Sequence, residues 1–490
     1  MTIFLKNPQT GKLKSYNTRM LNKTTVTAPT DHMPHVQEIV TDDSGLPLLD
    51  ASGNVLRKWR PYVYNDATVW SMISPQAYTG ARAPYGFCAS YGGSVYQVNN
   101  YSGTANIPTH ADWDNLGAGA YFVPVATHED LNAVRAAATR TWGTGTPFAA
   151  SYVGQGLAGR YIQVADIDLS SYANWARIGT SIFPVAPFAG VYDGGAYRTY
   201  NILNATFQND NGLFGGNTGK IRNLHANGNI TDSRQNTSIL LSSNNAGGIV
   251  QNCIISGTIR STHTAPVAGG IGANAGNVVN VVSFVANRTG DHAGTGSLIG
   301  SVSAGLVINC YACGKVTSTN FSTGGLIGAN SGTVTASYAN TQTTETAKYI
   351  GNPALTVGNK TTQELLSLYD TTWDSRIWQF INNRYPIHRF FGELPLNLPP
   401  PISLNSSIVG SDIVLTWADY VGTPSPSGYY VYVSKANGAW TKINATAITA
   451  KTLAYAHTGA ASYNFFVTGV YNRRYVGETG NSVTKIQVVT

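Results

Sequence analysis

Through the middle of the chain, apolar residues come in short bursts that return on a fixed beat. Successive segments read Ile221-Arg-Asn223-Leu224, Val250-Gln-Asn252-Cys253, Val278-Val-Asn280-Val281 and Val307-Ile-Asn309-Cys310, with the asparagines 29, 28 and 29 residues apart. A fifth, Val334-Thr-Ala336-Ser337, carries Ala in place of Asn. Ahead of most of them stands a second strand-and-turn signal: Gly212-Leu-Phe-Gly215, Gly270-Ile-Gly272, Ser297-Leu-Ile-Gly300 and Gly325-Leu-Ile-Gly328. Such a period, rich in Gly and β-branched residues, predicts an all-β chain built on a parallel β-helix (β-solenoid), one coil per window. Coils about 4.8 Å apart would align the residues after each Asn (Leu224, Cys253, Val281, Cys310, Ser337) in a column. Asn223, Asn252, Asn280 and Asn309 would form a structural ladder, each amide donating to the carboxamide oxygen one coil along.

Outside the repeats the pattern changes. Residues 1–118 read as a small β-rich module without helical period, opened by a basic arm (1–30) holding Lys6, Lys12, Lys14, Arg19 and Lys23. That arm is either a solvated tail or a peg docking on an acidic particle surface. Asp43-Ser-Gly45 and Asp50-Ala-Ser-Gly53-Asn54 flank Leu46-Pro-Leu-Leu49 as turns around short strands. At 127–138, Thr127 as N-cap, acids in the first turn, and Leu131, Val134 and Ala138 on one face predict a helix covering the solenoid's open end. The solenoid is expected over 119–392. It closes with a helix from Thr361 to Leu368 and an aromatic cap at 361–391 that includes Trp373, Trp378, Phe380 and Tyr385. Residues 393–402 are a Pro-rich linker, and 403–490 a compact β-sandwich.

Composition narrows the function. Of the 490 residues only 11% are charged, while Gly (52) and Tyr (28) are abundant, a surface of hydroxyls, amides and phenols suited to glycans or other proteins. A net charge of +7 from scattered basic residues makes nucleic acid a poor partner. No apolar run is long enough for membrane insertion, and the apolar stretch in Met1 to Pro8 is too short to predict a secretory signal. The expectation is a protein made in the host cytoplasm and carried out on a released particle, a virion.

Several segments resemble known families. Tyr161 to Ser170, Pro187-Phe-Ala-Gly190-Val-Tyr-Asp193-Gly194, the turn ending Gly332, Asn309-Cys-Tyr-Ala312 and Trp378 through Tyr385-Pro386 are similar to the GLUG-motif β-solenoids of phage tail fibres and adhesins. Ser238-Ile-Leu-Leu241 lacks the repeat's glycines, so a bulged or longer corner is expected there. Ile413 to Trp417, Gly428 to Val433 and Ser462 to Thr468, with Tyr463 as corner tyrosine, resemble strands of a disulfide-free fibronectin type III or Ig-like sandwich.

Candidate chemistry is sparse. Asp166 and Asp168 read as structural acceptors for corner amides, Asp193 as a turn residue, and Asp291-His292 as an exposed solvated pair. Cys310-Tyr-Ala-Cys313 has CxxC spacing but no second pair, which fits a solenoid interior better than zinc. Gly215 to Lys220 lacks the spacing and hydroxyl of a phosphate loop. Asp50 to Asn54 lacks a calcium-loop pattern, and no nucleophile–base pair stands out. No catalytic residue, metal or cofactor is therefore assigned. The expected function is non-enzymatic: a phage tail fibre or virion appendage mediating host attachment, with a tailspike-like depolymerase and a structural decoration protein as alternatives. Its partners would be virion proteins through the N-terminal region and a host glycan or protein, in an assembly that for fibres is commonly a homotrimer. Receptor contacts are placed at Trp440, Tyr471, Arg473, Arg474 and Tyr475 around an F–G hairpin; strand packing is the alternative role of these residues.

Overall fold

The 28-residue beat becomes stacked parallel strands. The computed structural model describes residues 2–6, 13–17, 35–39, 57–61, 64, 66–100, 103–146, 148, 150–179, 186–204, 212–232, 237–261, 267–289, 294–318, 321–380, 384–391, 401–419, 426–436, 441–457, 461–472, 476–478 and 486–489. Two units are distinguished: Met1–Phe122 with His388–Leu394 and Asn472–Gly477, and Val123–Ile387 with Pro395–Tyr471 and Glu478–Thr490.

In the second unit an eight-stranded, a nine-stranded and a six-stranded parallel sheet form the walls of a β-solenoid. The first runs from Val123–Val125 through Lys220–Arg222, Ile249–Gln251, Asn277–Val279 and Leu306–Ile308 to Thr333–Thr335. Its register places Ile221, Val250, Val278, Val307 and Val334 one above another. The first four of these are fully buried. In the second sheet, His225–Asp232, Ile254–Ser261 and Val282–Thr289 pair along their whole length without slip. The third stacks Phe214–Asn217, Leu241–Asn244, Ile271–Asn274, Ile299–Val302, Ile327–Asn330 and Ile350–Asn352.

Each periodic asparagine sits at the corner between the first and second sheets. Asn223, Asn252, Asn280 and Asn309 have φ between 52° and 55°, and Ala336 takes the same left-handed conformation at 44°. One such residue reverses the chain direction locally, and Asn tolerates it better than other non-glycine residues because its short amide bonds nearby groups. At the described part of the corner without glycines, residues 237–241, no bulge appears. Ile239 and Leu240 donate to the Gly269 and Gly270 carbonyls at 3.1 Å and stay in step. Leucine and isoleucine side chains fill the interior there, all fully buried.

The helices expected at either end of the solenoid are present but shorter. The N-terminal helix is His128–Ala133, capped by a reciprocal Thr127–Asp130 box. Leu131 and Val134 are buried, but Ala138 is exposed. The helix stops early because Thr139–Trp142 pairs with Ala150–Val153 as a hairpin, which the apparent helical spacing did not reveal. Asp130 is fully buried: its Oδ2 also accepts from the Ala126 and Gly143 amides at 3.0 and 2.9 Å, and Arg140 lies 3.3 Å from Oδ1. At the other end the helix is Thr362–Leu366, and Trp373, Trp378 and Tyr385 are buried. The closing residues bond back into the coils: Trp373 Nε1 donates to Ala336 O (2.9 Å), and Tyr311 Oη to Pro386 O (2.9 Å).

The C-terminal sandwich has a sheet of Ile402–Val409, Asp412–Ala418 and Thr452–Ala456, and a five-stranded sheet containing Gly428–Lys435 and Ser462–Asn472. Leu404, Ile413, Leu415, Trp417, Val431 and Phe465 share its core, with Tyr463 buried among them.

The first unit contains the antiparallel hairpins Thr2–Lys6/Leu13–Asn17 and His35–Ile39/Arg57–Pro61. It also contains a four-stranded sheet of Gln76–Ala77, Cys88–Tyr91, Ser94–Val98 and Trp113–Gly117. Against the expectation of a purely β module, Asp66–Ile73 is an α-helix. Its buried Val69, Met72 and Ile73 are too few to set a recognisable period. Phe390, placed by sequence in the aromatic cap, instead stacks on Tyr85 in this unit, with ring centroids 6.2 Å apart. The turn segment 41–56 lies outside the described residues.

Candidate functional site

Stacking brings together side chains about 28 residues apart, so the solenoid's polar chemistry lies in columns. The asparagine ladder forms with one sense: Asn309 donates to Asn280 (3.3 Å), Asn280 to Asn252 (3.0 Å) and Asn252 to Asn223 (3.1 Å). It ends on Asp193, whose Oδ1 accepts from Asn223 at 3.1 Å. Expected as a turn residue, Asp193 instead ends the strand Val191–Asp193, and its Oδ1 also accepts from the Gly195 amide of the turn that follows. It is also fully buried and paired with Arg222 Nε at 2.7 Å, a role the sequence did not disclose. Trp378 Nε1 of the far cap donates to Asn280 Oδ1 at 3.2 Å.

A second, antiparallel ladder was missed. Asn217 donates to Asn244 and Asn244 to Asn274, both at 2.8 Å, in the opposite sense along the rod. Its signal is Asn followed by Gly two residues on, as in Asn217-Thr-Gly219, Asn274-Ala-Gly276 and Asn330-Ser-Gly332. The side chain closes that turn, with Asn217 Oδ1 accepting from Gly219 N at 3.0 Å.

Asp166 and Asp168 are engaged by neighbouring backbone and by the adjacent coil. Asp166 Oδ1 accepts from Arg198 N at 2.8 Å, and Asp168 Oδ1 from Ser170 N and Asn201 Nδ2 at 2.9 and 2.8 Å. Stacking does create one nucleophile–base contact that no linear reading could find: His225 Nε2 lies 3.0 Å from Ser256 Oγ. Both are buried, and burial, aided by the Arg198 charge, pushes the His225 pKa down to about 3. Asn227 donates to the same Ser256 oxygen at 2.9 Å, so the group is a packed polar knot inside the wall. None of the four cysteines forms a disulfide, and all are buried. Burial raises the Cys253 and Cys310 thiols to about 12 and Cys313 also upward, away from the thiolate form that metals and electrophiles require. Gly215 to Lys220 forms the strand Phe214–Asn217 and its corner, with no phosphate-loop geometry. Among the described residues, no group of three or more His, Cys, Asp or Glu side chains is placed to hold a metal.

Of the proposed receptor contacts, Trp440, Arg473, Arg474 and Tyr475 lie outside the described residues. Tyr471 falls within the strand Ser462–Asn472, next to Val476–Glu478 in the same sheet; its side chain is outside the description too. Asp291-His292 and Asp50 to Asn54 are likewise outside.

In the first unit, by contrast, a cleft of about 600 Å³ opens between the end of helix Asp66–Ile73 and the four-stranded sheet. Ser74, Ala77, Ser90, Tyr91, Ser94 and Tyr121 line it, and none of its lining residues is charged. Tyr91 is 40% exposed, and its ring meets that of Tyr78 at 79°, centroids 6.4 Å apart, on the sheet face opposite Ser90. The Gly92-Gly93 turn beside it takes φ of 56° and 83°, the pair of left-handed residues a tight hairpin needs.

No family model and no curated protein matches this chain. Among solved structures, a crystal structure of an Fn3-like protein from Clostridium thermocellum is similar at 30% identity, over 18% of this chain and 88% of that one, with a TM-score of 0.15.

Proposed function

We propose that the chain is a non-enzymatic phage tail fibre or related virion appendage protein that attaches the particle to a host surface. The solenoid is its rigid spacer and presentation surface. In this reading the coils belong to the GLUG-motif type, the C-terminal sandwich to the fibronectin type III type, and the N-terminal region meets other virion proteins. The observation that carries it is the two-way asparagine laddering: buried amides tie coil to coil in both directions, which suits a stiff rod. Repeated coils also present equivalent outward positions at a fixed pitch, and copies of a weak site raise avidity without new contacts.

The test is competition. Purified protein added to host cells should block adsorption of the particle that carries it, while leaving the cells' capsule and lipopolysaccharide intact. Release of oligosaccharides would instead favour a depolymerase. Binding to particles without binding to cells would favour a structural decoration protein.

A further inference from the structure

We infer that two copies of this chain join edge to edge through residues 405–409, in an outer strand of the C-terminal sandwich. Among the described residues, Ile402–Val409 pairs on one side only, with Asp412–Ala418, so it forms an edge of its sheet. Each residue from 405 to 409 is exposed, including the apolar Ile408 (52%) and Val409 (61%). Sheets ordinarily protect such an edge with charge, proline or a bulge. Residues 402–411 hold neither a charged side chain nor a proline, and the register break lies before Asn405. The hydrogen-bond phase fixes which groups face outward. The strand turns back through Gly410 and Ser411, with Gly410 at φ 61°, a two-residue hairpin whose closing pair is Val409 and Asp412. Alternation from that pair bonds Asn405, Ser407 and Val409 to Asp412–Ala418. The other side of Asp412–Ala418 agrees: Trp417 N donates to Lys451 O and His457 N to Ser411 O, which leaves the even positions for Ile402–Val409. Ser406 and Ile408 therefore direct their N–H and C=O groups at the open edge, where a strand can satisfy them. A second copy does so when laid antiparallel and centred on Ser407, the middle of the exposed stretch. Ser406 then faces Ile408 of the other copy, and the reverse, and both pairs exchange N–H···O bonds. Ser407 meets its own counterpart, so only small hydroxyl side chains oppose each other at the centre. Self-pairing usually sets like charges together, but this stretch has none. The contact is isologous and closes after two copies.

This pairing goes beyond host attachment and does not rest on it, since self-association of the purified chain involves neither particle nor host cell. Light scattering on the full chain across a concentration series should give a particle mass that falls by half in Ser407→Lys and in Ile408→Lys, each of which sets a charge on the edge. Ser407→Cys should form a disulfide-linked dimer under mild oxidation, because the Cα atoms of a non-hydrogen-bonded pair lie about 4.5 Å apart, within disulfide reach. Asn405→Cys should not, since its counterpart lies four positions along the strand, about 13 Å away. The native cysteines are buried and form no disulfide, so the cross-link reports the edge. Unchanged thermal unfolding of each variant separates lost pairing from lost fold. The proposal is overturned if the wild-type chain stays single across the series, if both lysine variants keep the wild-type mass, or if Asn405→Cys cross-links as readily as Ser407→Cys. Adsorption competition that fails while self-association succeeds would remove the attachment reading and leave the paired edge standing.

Discussion

At the scale of single residues, the periodic asparagine meets two demands at once. It occupies a left-handed corner and hands a hydrogen bond to the coil beside it. The two demands can be separated. Asn252→Gly keeps the corner but leaves Asn223 Oδ1 and Asn280 Nδ2 without that partner, and should lower stability by about 2 kcal/mol in urea unfolding. Asn252→Ala adds the left-handed penalty and should cost about 1 kcal/mol more. Equal losses would show that the backbone conformation contributes nothing. At the ladder's end, Asp193→Asn leaves the buried Arg222 guanidinium uncompensated, with an expected loss of about 3–5 kcal/mol. Replacing Arg222 by Met as well should recover part of it, and a double-mutant cycle reads the coupling. In the first unit, hydrogen bonds from Thr104, Asn106 and Asn100 pull the Asp112 carboxyl from its ordinary 3.8 to about 2. A folded pKa below the unfolded one stabilises above about pH 4 and is lost as pH falls toward 2. Trp113, whose Nε1 donates to Asn106 O at 3.1 Å, should report it as a fluorescence change in that window. A flat signal from pH 5 to 2 would contradict the assignment.

At the scale of elements, a column behaves as one feature. Leu224, Cys253, Val281, Cys310 and Ser337 succeed one another inside the corner, so cysteine acts there as a small apolar filler. A disulfide reagent such as 5,5′-dithiobis(2-nitrobenzoate) should therefore leave all four native thiols untouched and titrate them together once urea unfolds the chain. Rapid native reaction at any of them would refute the burial. The helices show where local pattern stops deciding. The capping boxes at Thr127 and Thr361 were legible because an N-cap hydroxyl and an acid three residues on are a local unit. Their C-terminal limits were not. The hairpin partner Ala150–Val153 that takes over Thr139–Trp142 lies outside any helical window. The first ladder was visible because one residue type kept one period. The second was hidden by its uneven spacing and by Val302, which occupies its fourth position.

At the scale of the whole molecule, each coil touches only its neighbours, so stability should be graded along the rod. Trp378→Ala removes a fully buried ring from the closing cap and should cost about 3–5 kcal/mol. Hydrogen exchange should accelerate in Ile327–Asn330 and Tyr338–Asn340 well before it does in Val191–Asp193. Uniform acceleration would mean the rod melts as a single unit. The sequence by itself determined the coil period, the ladder and its column, the N-caps and the aromatic closure, because each repeats or is local and so is written in neighbouring letters. Only the tertiary structure decided that Asp193 ends the ladder, that His225 meets Ser256, that Phe390 leaves the cap for Tyr85, and that an uncharged cleft forms beside Tyr91. Those contacts join residues far apart, or at irregular spacings, and a one-dimensional pattern carries no distance between them.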